Sequence, residues 1–291
     1  MAGFEPVSLD RQDRYRELLG ASGITASDYS LVNLWGWAEE YGLQWYFEDG
    51  LVWIRQTLPA PLYWSPVGGL AGVDWKRVFE DPGKRGVTFT RVPEGLAGVW
   101  AHELPGLVEV REDRGNWDYL YSVPELVALS GNRFHKKKNL VNQFRKKYPS
   151  EYVDLGPGLI GLTRDMQEKW CAWRDCESSL TLSAENRVID RVLGAWETLQ
   201  NILGGAIMSE GRLVAFCVAE AFAPDTLIIH FEKGFTEYTG VYQAMNQMFL
   251  EAHREFAIAN REQDLDEEGL RQAKLSYNPV GFVRKCRVDV R

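Results

Sequence analysis

The sequence predicts an α/β (α+β) protein of two similar halves, each a mixed, mostly antiparallel sheet flanked by helices. Three observations predict it. The 291 residues suffice for two domains of about 145 each. A composition of 45% hydrophobic, 25% charged and 12% aromatic residues belongs to a chain that builds a core, not to a disordered one. One succession of elements also reads twice along the chain: strand, two helices, three-strand meander, helix, strand, helix, strand.

The first half opens on a short edge strand over 4–7 and a helix over 10–19. A second helix, started by the cap residues Ser27 and Asp28, carries Leu31, Leu34, Trp35 and Ala38 at helical spacing. Strands over 43–47 and 51–55 flank the turn Glu48-Asp49-Gly50, and a third strand covers 62–64. Ser65-Pro66-Val67-Gly68-Gly69 breaks the chain. A helix over 75–79, a strand over 87–90, a helix over 94–100 and strands over 107–110 and 117–121 complete this half. Trp35, Trp37, Trp45, Trp53, Trp64 and Trp75 interleave with aliphatic residues and are expected in its core.

The second half repeats the order. A strand over 152–155 precedes helices over 163–174 and 183–200. Strand 206–209 turns at Glu210-Gly211 into strand 212–219, and Pro224-Asp225 leads to strand 226–232. The next helix places Val241, Ala244, Met245, Met248, Phe249 and Ala252 on one face. A strand over 256–260, a helix over 267–274 and a last strand over 282–290 follow. Residues 1–121 thus form a first domain and residues 150–291 a second. Helices over 122–129, with Pro124 near its first turn, and 134–148 connect them, in residues 122–149.

Several function classes are disfavoured. The first ten residues carry neither the basic nor the apolar region of a secretory signal. The longest apolar stretch, 213–223, is interrupted by Glu220 and falls far short of the ~20 residues that span a bilayer. Cys171, Cys176, Cys217 and Cys286 form no CxxC pair, so no disulfide framework is expected and a cytoplasmic location is. His102, His135, His230 and His253 lack ligand spacing, and no metal site is expected. A net charge of −8 argues against a wholly basic nucleic-acid binder. Between Ser130 and Ser150, however, stand Arg133, Lys136, Lys137, Lys138, Arg145, Lys146 and Lys147 without one acid. They sit on a helix whose apolar stripe is Phe134, Val141 and Tyr148, with Leu140 and Phe144 beside it. The run is either a solvated face or a phosphate-binding surface suited to a tRNA acceptor arm.

The order of elements in each half is that of GNAT acetyltransferases. Longer matches narrow the family. Phe231-Glu232-Lys233-Gly234, Gly240-Val241-Tyr242, Asn260-Arg261-Glu262-Gln263-Asp264 and the stretch from Gly269 to Pro279 (Gly-Leu-Arg-Gln-Ala-Lys-Leu-Ser-Tyr-Asn-Pro) are its most specific parts. Asp118-Tyr119-Leu120-Tyr121, Asn33-Leu34-Trp35 and the basic run match more weakly. Over nearly its whole length the chain resembles the bacterial family related to the C-terminal domain of phosphatidylglycerol lysyltransferase. That resemblance implies tandem GNAT-like domains and transfer of an aminoacyl group from aminoacyl-tRNA onto a lipid head group.

GNAT enzymes hold the coenzyme A pyrophosphate on backbone amides at a helix N-terminus, in a loop of pattern Q/R-x-x-G-x-G/A. This chain has Glu237-Tyr238-Thr239-Gly240-Val241-Tyr242, with a repelling carboxylate first and a bulky phenol last. A donor other than acyl-CoA is favoured, and the first half, with only Ser65 to Gly69 at the matching place, is expected to be non-catalytic.

Glu232, at the end of a strand whose alternation puts it on one face with His230, is a candidate general base; a structural ion pair with Lys233 is the alternative. Asn260, Arg261, Glu262 and Asp264 leave a strand end, where ligands gather in open α/β sheets. An acid there suits a donor's α-ammonium and Arg261 a carboxylate or phosphate, although helix capping also accounts for the acids. Arg271 is either a solvated partner of Glu267 or a binding residue, and Lys274 is the better phosphate candidate. Tyr277 is a candidate general acid or a packed strand-edge ring. Lys233, Gly240, Tyr242 and Ser276 complete the expected substrate-binding set.

Three functions follow as expectations. The first is transfer of an aminoacyl group from aminoacyl-tRNA to an amine or hydroxyl, on a small molecule or a lipid head group. The second is acyl-CoA-dependent N-acylation. The third is binding of RNA or an anionic metabolite without chemistry. No cofactor is implied beyond the donor, aminoacyl-tRNA or a coenzyme A thioester.

Overall fold

The computed structural model describes residues 3–291. Among them the strands form two sheets of eight and seven strands, and the chain divides into two compact units. Of the described residues the first unit holds 3–118, 263–271 and 282–291; the second holds 119–262 and 272–281.

In the first sheet the order is Glu5–Pro6, Gln44–Glu48, Leu51–Gln56, Leu62–Trp64, Thr88–Pro93, Lys285–Val290 and Val108–Glu112, with Val67–Gly68 paired beside Leu51–Gln56. In the second it is Gly281–Val283, Asp118–Ser122, Ile258–Asn260, Thr226–Gly234, Arg212–Ala223, Ile202–Ser209 and Ser150–Asp154. Both meanders are joined by two-residue turns of the same kind. Asp49 and Gly50 have φ of 49° and 77°, Glu210 and Gly211 of 50° and 77°. Two successive left-handed residues twist a hairpin the way its strands twist, which is why Gly stands second in each.

Each sheet also contains a parallel pair, Leu62–Trp64 with Thr88–Pro93 in the first and Thr226–Gly234 with Ile258–Asn260 in the second. In the second sheet the parallel register ends at Ile228 opposite Asn260, while the longer strand runs on to Gly234. The next strand across is where the structure departs from expectation. Thr88–Pro93 pairs with Lys285–Val290, from the end of the chain, and Ile258–Asn260 pairs with Asp118–Ser122, from the middle. The expected last strand over 282–290 is therefore two strands in two different sheets, and the strand expected over 117–121 lies in the second sheet. A period-two pattern tells which side chains are buried but not which strand lies alongside.

Of the expected tryptophans, four lie in the first unit's core and Trp35 packs against it. Trp45, Trp53, Trp64 and Trp75 are buried and Trp35 and Trp37 half-buried. Trp75 and Trp100 pack edge to face at 5.3 Å, and Trp100 meets Phe79 and Phe89 the same way. The helix expected to begin at Ser27 and Asp28 is Leu31–Gly36 and is capped by Ser30, whose hydroxyl accepts from the Asn33 amide. Ser27 and Asp28 are committed elsewhere. Lys285 Nζ, fully buried, donates to Asp28 and to Asp118 Oδ1, the latter at 2.7 Å. Arg91 pairs with Asp28 at 2.7 Å, and Ser27 donates its amide and hydroxyl to Asp118.

In the second unit the helices Val123–Ala128 and His135–Lys147 pack on Val241–Ala252, so they are part of that unit and not a free connection. Val241, Ala244, Met245 and Phe249 are buried as expected, Met248 is half-buried, and Ala252 is exposed. Cys171 and Cys176, five apart, form a disulfide. The helix Ile160–Arg174 ends there, and left-handed Asp175 turns the chain so that the two thiols meet. The expectation of no disulfide is corrected, and cysteine usage no longer speaks for a reducing compartment. No helix among the described residues is long and apolar enough to cross a membrane.

Candidate active site

Where the parallel strands of the second sheet part, Glu232 and Arg261 close the opening. Glu232 Oε2 lies 2.5 Å from Arg261 Nη2, and its Oε1 accepts from Asn246 Nδ2 at 3.1 Å. The carboxylate is thus gripped from a strand end and from the helix Val241–Ala252. Burial works against the Arg261 charge, but Glu232 and the Tyr277 and Tyr121 rings raise its pKa. Its guanidinium carbon stands 4.6 Å from the Tyr277 centroid and 5.6 Å from that of Tyr121, cation–π distances both. Burial also raises Tyr277, more than Arg261 lowers it, so the phenol keeps its proton.

Lys137 is brought here as well. Its Nζ stands 4.0 Å from the Tyr277 centroid, and half-burial and then the Arg261 charge push its pKa down to about 8. Its neighbours Lys136 and Lys138, like Arg133, Arg145, Lys146 and Lys147, are exposed. Arg133 pairs with Glu125, and Arg145 lies 3.7 Å from Glu251.

The remaining candidates fall into separate clusters. Lys233 does not pair with Glu232, because successive residues of a strand face opposite ways. It reaches Glu185 at 2.7 Å and the Trp170 ring at 4.3 Å, and Trp170 Nε1 donates to the Tyr242 hydroxyl. The corner after Asn260 is divided between the units. Asn260 Oδ1 accepts from the Glu262 amide, while Asp264, fully buried, takes a two-pronged bond from Arg271 (2.9 Å each) and one from Arg114 at 3.1 Å. Arg271 reaches Asp266 too, at 2.6 Å, instead of the expected Glu267. Lys274 Nζ donates to the Arg261 carbonyl. The Ser276 hydroxyl is exposed and turned to the Ala273 carbonyl.

Glu262 faces His230, not the cluster around Glu232. His230, an extra residue in a bulge of its strand, lies 2.8 Å from Glu262 and 3.5 Å from buried Glu220. Burial opposes its charge, yet hydrogen bonds and charge from the two carboxylates raise its pKa to about 9. A folded-state pKa above the ordinary ~6.5 means that the proton stabilises the fold. That contribution is complete below about pH 6.5 and is lost as the pH rises through about 9. Urea unfolding should therefore show His230→Gln much weaker than wild type at about pH 6 and close to it at about pH 10. An equal deficit at both would mean that the imidazole is neutral.

Gly240 serves packing. Its φ is 86°, and a Cβ there would come within 2.2 Å of the Leu140 carbonyl oxygen, on the basic helix. Tyr148, just past that helix, donates to the Glu237 carbonyl at 2.9 Å and accepts from the Thr239 amide at 3.3 Å. Within the loop whose amides would face a pyrophosphate in a GNAT enzyme, the Thr239 amide is thus already engaged and Gly240 packs on the basic helix, while Glu237 and Thr239 stay exposed.

The residues Asn246, Tyr121 and Cys217 were not legible as site residues. Asn246 did leave a signal, as a polar residue amid the apolar positions of its helix. Cys217 lies directly across from Glu232 on the neighbouring strand, and burial and then Glu232 push its thiol well up.

A family model, phosphatidylglycerol lysyltransferase, C-terminal, matches residues 21–286. A conserved protein of unknown function from Bacteroides thetaiotaomicron is 29% identical and superposes with a TM-score of 0.91 over 100% of both chains. L-PGS from Bacillus licheniformis, 11% identical, gives 0.68 over 100% of this chain and 94% of its own. The C-terminal domain of a putative lysylphosphatidylglycerol synthetase from Agrobacterium fabrum, also 11% identical, gives 0.65 over 97% and 92%. These last two likenesses concern the fold. An uncharacterised protein of Mycoplasmoides gallisepticum is 23% identical over 198 residues, 67% of this chain and 63% of its own length.

Proposed function

This chain belongs to the phosphatidylglycerol lysyltransferase C-terminal family, and from that premise we propose that its second unit moves an aminoacyl group from aminoacyl-tRNA to an amine or hydroxyl acceptor. The observation that carries the reading is the pair Glu232–Arg261, oriented by Asn246 and roofed by Tyr277, at the opening of the parallel strands. Glu232 takes the proton of the attacking amine or hydroxyl as its lone pair adds to the acyl carbon. The tetrahedral adduct then collapses, the ester C–O bond to the ribose breaks, and the Tyr277 hydroxyl protonates the departing oxygen. Proton return from Glu232 to Tyr277 through solvent resets the site. No covalent acyl-enzyme is needed, and Cys217, held as a thiol, is a poor nucleophile. Positioning and charge supply the rate.

Glu237 at the head of the Gly240 loop and the engaged Thr239 amide support a donor other than acyl-CoA. The exposed cations of the basic helix support a tRNA. Incubation with bulk aminoacyl-tRNA and a panel of amines and glycerol derivatives should give acceptor-dependent loss of the aminoacyl ester, and coenzyme A should leave the melting temperature unchanged. Stabilisation by coenzyme A with no tRNA turnover would favour acyl-CoA chemistry; tRNA binding without turnover would leave a binding module. Replacing Lys136, Lys138, Lys146 and Lys147 together by Gln should flatten the salt dependence of tRNA binding, by about 0.7–0.9 in log–log slope per lost contact. Identical slopes would return that helix to a solvated face.

A further inference from the structure

Two cations share one aromatic ring in the second unit, and one of them has a buried donor without an acceptor. Arg261 gives Nη2 to Glu232, while its Nη1 is buried and has no hydrogen-bond partner among the described residues. A buried N–H left unmade is costly, and native structures rarely tolerate one unless something else fills the place. Lys137 stands over the same Tyr277 ring. Its ammonium is half-buried beside another positive charge, whereas the other lysines of its run are in solvent. Glu232 is already engaged by Arg261 and Asn246. At the Tyr277 ring two cations stand against the one Glu232 carboxylate, and an oxyanion answers both the second charge and the orphaned donor.

We propose that Lys137 and Arg261 Nη1 bind a phosphodiester oxyanion of the substrate beside the Tyr277 ring. The inference rests on the transferase reading for the choice of anion. An amino acid carried as an ester has no free carboxylate, so the anionic groups left on the donor are phosphodiesters. The 3′ end of a tRNA and a glycerophospholipid head both offer one. Lys137 is thereby a substrate-binding residue of the site itself, distinct from the exposed lysines beside it.

The test is calorimetric titration of the full chain with two soluble probes, glycerophosphoglycerol and the trinucleotide cytidylyl-cytidylyl-adenosine. At least one should bind wild type. Lys137→Gln should weaken it about tenfold or more, Lys137→Arg should retain it, and Lys169→Gln, outside the cluster, should match wild type. Binding of the first probe alone assigns the oxyanion to a lipid head, of the second alone to the donor's end, and of both to a shared subsite. Binding of neither, or equal binding by Lys137→Gln with an unchanged melting temperature, overturns the proposal. The two readings fail separately. Turnover of aminoacyl-tRNA without phosphodiester binding removes the oxyanion site and keeps the transferase; Lys137-dependent binding without turnover does the reverse.

Discussion

Lys285→Met is expected to lower stability by about 3–5 kcal/mol, the usual cost of stripping the partner from a buried charge. Four charged side chains meet in the first unit's interior: Lys285, Arg91, Asp28 and Asp118. Two positive and two negative charges cancel, and Lys285 and Asp118, each 0% exposed, have no water to fall back on. Burial raises Asp118 more than Lys285 lowers it, and Asp28 adds to the rise. For Asp28 burial is outweighed by Lys285 and Arg91, which lower it. Removing Lys285 leaves one carboxylate too many. Lys285→Met with Asp118→Asn restores neutrality, because Asp28 keeps Arg91, and should recover much of the loss. Urea unfolding of wild type, single and double variants checks this. A double variant as unstable as the sum of its parts would mean that packing of the lysine stem, and not charge, holds the strand Lys285–Val290 in place.

What the sequence made legible was local. Asp49-Gly50 and Glu210-Gly211 announce their hairpins because the left-handed turn needs its residues at adjacent positions. Helix Val241–Ala252 was legible because its apolar spacing is its own signal. Pairing over long separations has no such signature. Nothing in the alternation of residues 285–290 says that they lie between Thr88–Pro93 and Val108–Glu112, so the buried quartet built on Lys285 was invisible. Side-chain commitments were also hidden. Asp264 and Arg261 stand three apart in one polar run, yet Asp264 is locked by Arg114 and Arg271 while Arg261 reaches back to Glu232. Lys137 cannot be told from Lys136 or Lys138 by composition. Only the helix's placement turns it towards Tyr277.

The Glu232–Arg261 pair should respond to the same neutralising device in a different way. Arg261→Met leaves the Glu232 carboxylate, its side chain 11% exposed, with Asn246 alone, and the loss of stability is expected at about 3 kcal/mol, the lower end for a buried pair. Adding Glu232→Gln removes the stranded charge, so the double variant should melt well above Arg261→Met. Transfer should not return with it. A general base contributes roughly 10²–10⁴ in rate, and a Gln at that position accepts no proton. Glu232→Gln alone should therefore lose activity by that order, whatever happens to its melting temperature, and the double variant should be at least as inactive. The measurement is a double-substitution cycle followed by two readouts, urea unfolding and turnover of aminoacyl-tRNA. In the Lys285 quartet no chemistry is at stake, and turnover should follow stability. Around Glu232 the two should part. Turnover restored together with stability in Arg261→Met/Glu232→Gln would show the pair to be a staple between two diverging strands, and the proton acceptor would have to be sought elsewhere in the second unit.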